Sequence, residues 1–169
     1  MSTRRDRESA ARPRSLQDLL PHNHCFGCGP QNPAGLRLKS FWSGTELSVA
    51  RFTPEAYHCA GPKHFVNGGI IATLIDCHSI CTAASQAYRD AGREPGKAPD
   101  LHYATARLEV DYRRPTPMGV ELMLEARIAE RSETSYVVSC ELKANGKTCA
   151  SARVVAVQVP ESWVAGPRE

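Results

Sequence analysis

One stretch limits what this chain can fold into: residues 67–89 carry helical periodicity in a sequence that otherwise alternates like strands. Ile70, Ile71, Leu74, Ile75, Cys81 and Ala84 recur at helical spacing, and no proline falls between Pro62 and Pro95. Asn67 suits an N-cap and Gly92 a stop. The spacing predicts a helix from Asn67 to about Arg89, about six turns long. Apolar side chains occupy most of its circumference, so it is expected in the interior.

Strand signals surround that helix. Before it, Leu36 to Trp42 and Glu46 to Phe52 flank Ser43-Gly44. After it, Ala104, Ala106, Leu108, Val110 and Tyr112 alternate with Tyr103, Thr105, Arg107, Glu109 and Asp111. Two further apolar rows follow, Val120 to Ile128 and Tyr136 to Ala144. Asn145-Gly146 then marks a two-residue hairpin into a last strand, Thr148 to Val159. The fold class is α+β: two strands, one long helix, four strands. One helix cannot cover both faces of a flat six-stranded sheet, so the sheet must curl around it or pair with another copy.

The 169 residues suffice for one domain, expected over residues 15–160, with a disordered arm before it and a tail over 161–169. Ser15 to Leu20 reads as a short capped turn. Met1 to Pro13 is charged and lacks the apolar core of a secretory signal. The seven cysteines are an odd number, read as reduced thiols of a cytoplasmic protein. Cys77 and Cys81 read as small buried helix residues. No apolar run suggests a membrane partner. The near-neutral charge outside the arm argues against a nucleic-acid partner.

Chemistry concentrates at the helix. Gly68 and Gly69 open it, where free N–H groups backed by the helix dipole suit a carbonyl oxygen that becomes negative. Close packing at a helix start is the competing reading of the pair. Asp76 is the one acid between Asn67 and Arg89, and a carboxylate among Leu74, Ile75, Ile80 and Cys81 needs a partner or a task. Its own stripe, Gly69, Ala72, Thr73 and Ala83, is small or polar, as expected where another group comes close; a buried Asp held by a neighbouring hydroxyl is the structural alternative. Gly68 and Asp76 lie about 12 Å apart along the axis. One helix cannot bring both to one carbonyl, whereas two antiparallel helices across a two-fold axis can.

These residues resemble a known family. Asn67-Gly68-Gly69 leading to Asp76 is similar to the His-Gly-Gly…Asp helix start of the phenylacetate-pathway-type (PaaI-like) hotdog thioesterases. Thr105 to Pro117, with Tyr112-Arg113-Arg114-Pro115, resembles that family's strand ending in Tyr-x-Arg-Pro. Cys25-Phe26-Gly27-Cys28-Gly29, with Asn32-Pro33 and Gly35-Leu36, resembles its Cys-Phe-x-Cys-Gly entry. The resemblance covers roughly Cys25 to Val159. It implies a hotdog fold, an antiparallel sheet wrapped around one long helix, and hydrolysis of acyl-CoA thioesters without a metal or organic cofactor. It implies acyl-CoA as substrate, while the edge strand and the split between Gly68 and Asp76 call for a homodimer or a dimer of dimers. The implied catalytic residues are Asp76 as base or nucleophile, Gly68 and Gly69 as carbonyl donors, and Thr105 orienting water. Asn67 stands where the family has His. It can cap and donate but cannot shuttle a proton. His58 and His64 lie upstream as candidate substrate contacts, and Arg113 and Arg114 could meet CoA phosphates. His78, two residues past Asp76, points elsewhere and is expected to be structural.

Three other readings remain open. Cys25 and Cys28 with His22 and His24 have zinc-ligand types, yet the sequence lacks a second Cys-x-x-Cys, and no metal is expected. A hotdog hydratase or dehydratase would use a His where Asp76 stands. A non-catalytic acyl-CoA-binding protein would explain Asn67.

Overall fold

Asn67 fixes where the central helix begins. Its backbone is extended, and its Oδ1 accepts from the N–H groups of Gly69 at 2.7 Å and Ile70 at 3.4 Å. The helix that follows, α1, runs Gly68–Asp90 and ends before Gly92, whose φ of +60° takes the chain out of helical conformation. In the computed structural model, residues 14–20, 22–95 and 97–165 are described. The expected N-terminal arm, apart from Arg14, lies outside the described residues.

Among the described residues, six strands surround α1: β1 (Lys39–Ser43), β2 (Leu47–Phe52), β3 (His102–Tyr112), β4 (Leu122–Arg131), β5 (Ser135–Ala144) and β6 (Lys147–Val159). They form one antiparallel sheet in the order β1-β2-β4-β5-β6-β3. The chain leaves β2 near one edge, runs through α1 across the sheet, and re-enters as β3 on the opposite edge. This is the hotdog arrangement, with the sheet wrapped around α1. Leu74, Ile75, Ala83, Leu122, Leu124, Val138, Leu142 and Val154 are essentially inaccessible. Burying a Leu, Ile or Val fully stabilises by roughly 1.5–3 kcal/mol each, so the helix–sheet contact dominates the fold. By length and mean hydropathy, 1.2, α1 could cross a bilayer; here that apolarity faces the sheet.

Several expected boundaries shift for identifiable reasons. The first strand starts at Lys39, not Leu36, because Arg37 adopts φ 54°. The Asn145-Gly146 turn forms as expected, both residues at positive φ between β5 and β6. Ser15 caps a 3-10 turn over Leu16–Leu19 with a reciprocal bond to Asp18. A short helix, α2 (Glu161–Val164), occupies part of the expected tail. Of Asp76's stripe, Ala83 is fully buried, while Gly69 is exposed and Ala72 and Thr73 are half-buried.

The largest departure is in β3. A bulge between Thr105 and Arg107 shifts its register against β6: Thr105 pairs with Ala156, and Leu108 with Val154. Ala156, Val154 and Ala150 are all buried, so Thr105, Leu108 and Tyr112 face the helix side together. Strict alternation separates Thr105 from Leu108 and Tyr112; the extra residue reunites them.

Candidate active site

Asp76 projects from the third turn of α1 and is half-buried. The Thr105 hydroxyl donates to Asp76 Oδ1 at 2.6 Å, a contact that exists because the bulge turns Thr105 inward. Burial pushes the Asp76 carboxyl above the usual carboxylate range, and the Thr105 bond opposes that rise. With Oδ1 held, no hydrogen bond to Oδ2 is formed among the described residues.

At the start of α1 the two glycines differ. The Gly69 N–H is taken by Asn67 Oδ1. Gly68 occupies the first helical position, and among the described residues its N–H has no protein partner. Its carbonyl accepts from the Tyr112 hydroxyl at 2.7 Å, which ties the helix start to the end of β3. A groove of about 340 Å³ opens here, lined by Phe65, Gly68, Ile71, Tyr112, Arg113, Arg114 and Thr116 among others. The Thr116 hydroxyl is buried in that lining and has no partner among the described residues. Arg113 bonds Ser151 and Asp111, each at 3.0 Å, and Arg114 donates to the Thr148 carbonyl at 2.9 Å. A guanidinium has five N–H donors, so both keep donors for a ligand.

The histidines are placed differently. The His58 ring is buried beside Phe52 and Tyr57, and its Nδ1 accepts from the Glu55 N–H at 2.9 Å. Burial holds it below the usual histidine range, against the pull of Glu55. Its contribution near the site is its carbonyl, which accepts from the Asn67 N–H at 2.9 Å. His64 is exposed and packs on Phe65, with ring centroids 4.3 Å apart. His78 lies in the core, bonded to Ser40 and Ser48.

Residues 63–151 match the family described as the thioesterase superfamily. The chain belongs to that superfamily. A thioesterase superfamily protein from Shewanella loihica is 39% identical, with a TM-score of 0.62 over 82% of this chain and 96% of that one. The Xenopus laevis protein named acyl-coenzyme A thioesterase THEM4 is 28% identical over 116 residues, 68% of this chain and 46% of that protein. The chain thus spans about half the length of the curated relatives it matches. The PaaI protein of the Escherichia coli phenylacetic acid degradation operon shares the fold, with a TM-score of 0.60 over 74% of this chain and 81% of that one, at 19% identity.

Within this thioesterase-superfamily chain, the sequence pointed to Asp76, Thr105, Gly68, Gly69, Asn67, Arg113 and Arg114, together with His58 and His64, whose rings pack on Phe52 and Tyr57 and on Phe65 and join neither cluster. The structure arranges the others as two clusters, Asp76 with Thr105, and Asn67, Gly68 and Gly69 with Tyr112 and the arginine groove. Tyr112 and Thr116 were missed as site residues. Tyr112 sits in the recognised strand-end motif, and that was the one signal for it; the orphaned hydroxyl of Thr116 has no signature in sequence.

Proposed function

We propose that the protein hydrolyses acyl-CoA thioesters as a homodimer, each site combining Asp76 of one chain with Gly68 of the other. The observation that carries this reading is the hydroxyl-held, half-buried Asp76 carboxyl, while the Gly68 N–H, unpartnered among the described residues, sits about 12 Å away along the same helix. A carboxylate and an amide donor must both reach one carbonyl, within about 3 Å. Two helices running antiparallel across a two-fold axis satisfy that requirement.

In this scheme the thioester oxygen lies on the Gly68 N–H, whose position at the helix N-terminus favours the negative charge that develops. Asp76 acts from the other side. As general base it takes a proton from water, the hydroxide adds to the carbonyl carbon, and the C–S bond breaks with the electron pair leaving on sulfur. The proton on Asp76 then passes to the thiolate, giving free acid and CoA. As nucleophile it would form an anhydride that water cleaves, with the same net balance. Arg113 and Arg114 line the groove beside Gly68 and suit the phosphates of CoA.

A panel of acyl-CoA esters with a free-thiol readout tests the activity and sorts the acyl groups. Asp76→Asn keeps the shape and removes both base and nucleophile, so kcat on the best ester should fall at least about a hundredfold with binding largely kept. A folded Asp76→Asn protein with near wild-type kcat would make Asp76 a structural carboxylate.

A further inference from the structure

Four cysteine sulfurs meet where the segment before β1 crosses α1. Cys25 Sγ lies 3.5 Å from Cys77 Sγ, and Cys28 Sγ lies 4.0 Å from Cys81 Sγ. The sulfurs of Cys25, Cys28 and Cys77 all fall within 4.8 Å of one another. Cys28 is the thiol common to both groupings, within 4.8 Å of Cys25 and Cys77 and 4.0 Å from Cys81. All four are free of disulfides, and Cys28, Cys77 and Cys81 are buried.

The backbone on both sides is shaped for this meeting. Cys25-Phe26-Gly27-Cys28-Gly29 turns tightly, closed by the Gly29 N–H donating to the Cys25 carbonyl at 2.8 Å. A Cβ on Gly29 would come within 2.4 Å of the Cys25 nitrogen, so only glycine lets the chain curl back. A Cβ on Gly27 would come within 2.2 Å of Cys77 Sγ, so glycine also lets the turn sit directly on the helix. Cys77 and Cys81, four apart, share one helix face. Asn23 Nδ2 reaches Cys28 Sγ at 3.6 Å, where an amide would support a thiolate. Residues 22–38 contain no helix or strand, and an irregular segment of that length needs something to hold it.

We propose that Cys25, Cys28, Cys77 and Cys81 form a tetrathiolate site for a zinc-class divalent ion, which staples the 22–38 segment to α1. A tetrahedral ion with Zn–S bonds of about 2.3 Å places its sulfurs about 3.8 Å apart; Cys25, Cys28 and Cys77 already lie within 4.8 Å of one another, and Cys81, which touches that group through Cys28 at 4.0 Å, closes in as the fourth ligand when the ion binds. On binding, four S–H protons leave to solvent as four metal–sulfur bonds form. His22 and His24 are exposed and stand outside the sulfur group. The second cysteine pair that sequence spacing lacked is supplied by the helix.

Metal content, which does not depend on turnover, tests the site. The full chain, free of any metal-binding tag, is reduced, incubated with zinc sulfate and desalted. It should retain about one zinc per chain by elemental mass spectrometry. Titration with an organomercurial in the presence of a chromogenic chelator should release that zinc as the cluster thiols react. Cobalt(II) in place of zinc should give thiolate charge-transfer absorption and the visible bands of a tetrahedral ion. Cys28→Ser and Cys81→Ser should each lower retained zinc by at least about tenfold, and Cys59→Ser should leave it unchanged. If the cluster variants fail to fold, the cobalt spectrum of the wild-type protein decides. Folded, reduced wild-type protein that keeps no zinc, or a cobalt spectrum of octahedral oxygen ligation, overturns the site. So does a Cys25–Cys77 disulfide mapped in zinc-incubated protein.

Discussion

At the scale of single residues, the proposed chemistry needs one amide to be open and another to be closed. Asn67 closes the Gly69 N–H and leaves that of Gly68. This asymmetry permits a clean test. Proline is well tolerated at the first helical position, and Asn67 already has the extended backbone that a following proline requires. A Cβ on Gly68 meets nothing nearer than the Tyr112 hydroxyl at 3.4 Å, an ordinary contact. Gly68→Pro should therefore fold with its helix intact while deleting the one N–H, and kcat should drop by roughly a hundred- to a thousandfold. Unchanged kcat would remove Gly68 as the carbonyl donor. Thr105→Val addresses the other cluster. The Thr105 bond stabilises the carboxylate and pulls the Asp76 pKa down, so its loss should raise that pKa further. A base must be deprotonated to act, so the acid limb of the kcat–pH profile should move to higher pH, and Thr105→Ser should restore it. An acid limb that stays in place would separate Thr105 from Asp76 in the reaction. Asp76 was legible in the sequence because an acid within an apolar helix stands out. Which glycine amide stays open was not, because the geometry of the cap decides it. The cysteine cluster was hidden for another reason: Cys25 and Cys77 are far apart in the chain and meet through tertiary packing alone.

At the scale of elements, α1 was legible almost to its ends, since its start and stop are written in Asn67 and Gly92 and its apolar period is unbroken. β3 was legible as a strand but not in its facing. Its Ala106 bulge carries no glycine or proline, and without it Thr105 would turn its hydroxyl away from Asp76. A second element-level feature ties α1 to β1 and β2. His78 Nδ1 contacts the Ser40 hydroxyl at 2.8 Å, and Nε2 contacts the Ser48 carbonyl at 3.3 Å. Gln17 donates to Ser40, and Thr82 donates to the His78 carbonyl. Burial lowers the His78 pKa to about 4. The folded value is thus below the unfolded value of about 6.5, so between these pH values the unfolded chain binds a proton that the folded chain refuses. The stability due to neutral His78 is complete above the unfolded pKa and is lost as pH falls through this window, up to about 3 kcal/mol. Urea midpoints for wild type and His78→Gln should therefore converge as pH falls from neutral to about 4.5. The comparison cancels the carboxylates and thiols common to both proteins. Parallel pH dependence in the two would show that His78 does not titrate in this range.

At the scale of the whole molecule, the sheet ends in β3, an 11-residue edge whose Ala106, Leu108 and Tyr112 are exposed, and on α1 Gly69 is exposed and Ala72 and Thr73 are half-buried along the Asp76 stripe. A long strand edge with apolar residues is a surface that proteins normally cover. A second copy would cover it and bring the partner's helix start toward Asp76. The split site predicts more than an oligomeric mass by light scattering. Gly68→Pro and Asp76→Asn protein should each be nearly inactive alone, because every site in each lacks one group. In a mixed dimer, one site has both defects and the other has none, combining the intact Asp76 of the Gly68→Pro chain with the intact Gly68 of the Asp76→Asn chain. Equal co-expression with random pairing makes half the dimers mixed, each with one working site of two, so activity should recover to about a quarter of wild type. Two differently tagged chains purified through both tags should reach about half. If the mixed dimer forms and stays as inactive as its parents, the two groups do not serve one carbonyl across the two-fold axis, and a base or donor within a single chain must replace one of them.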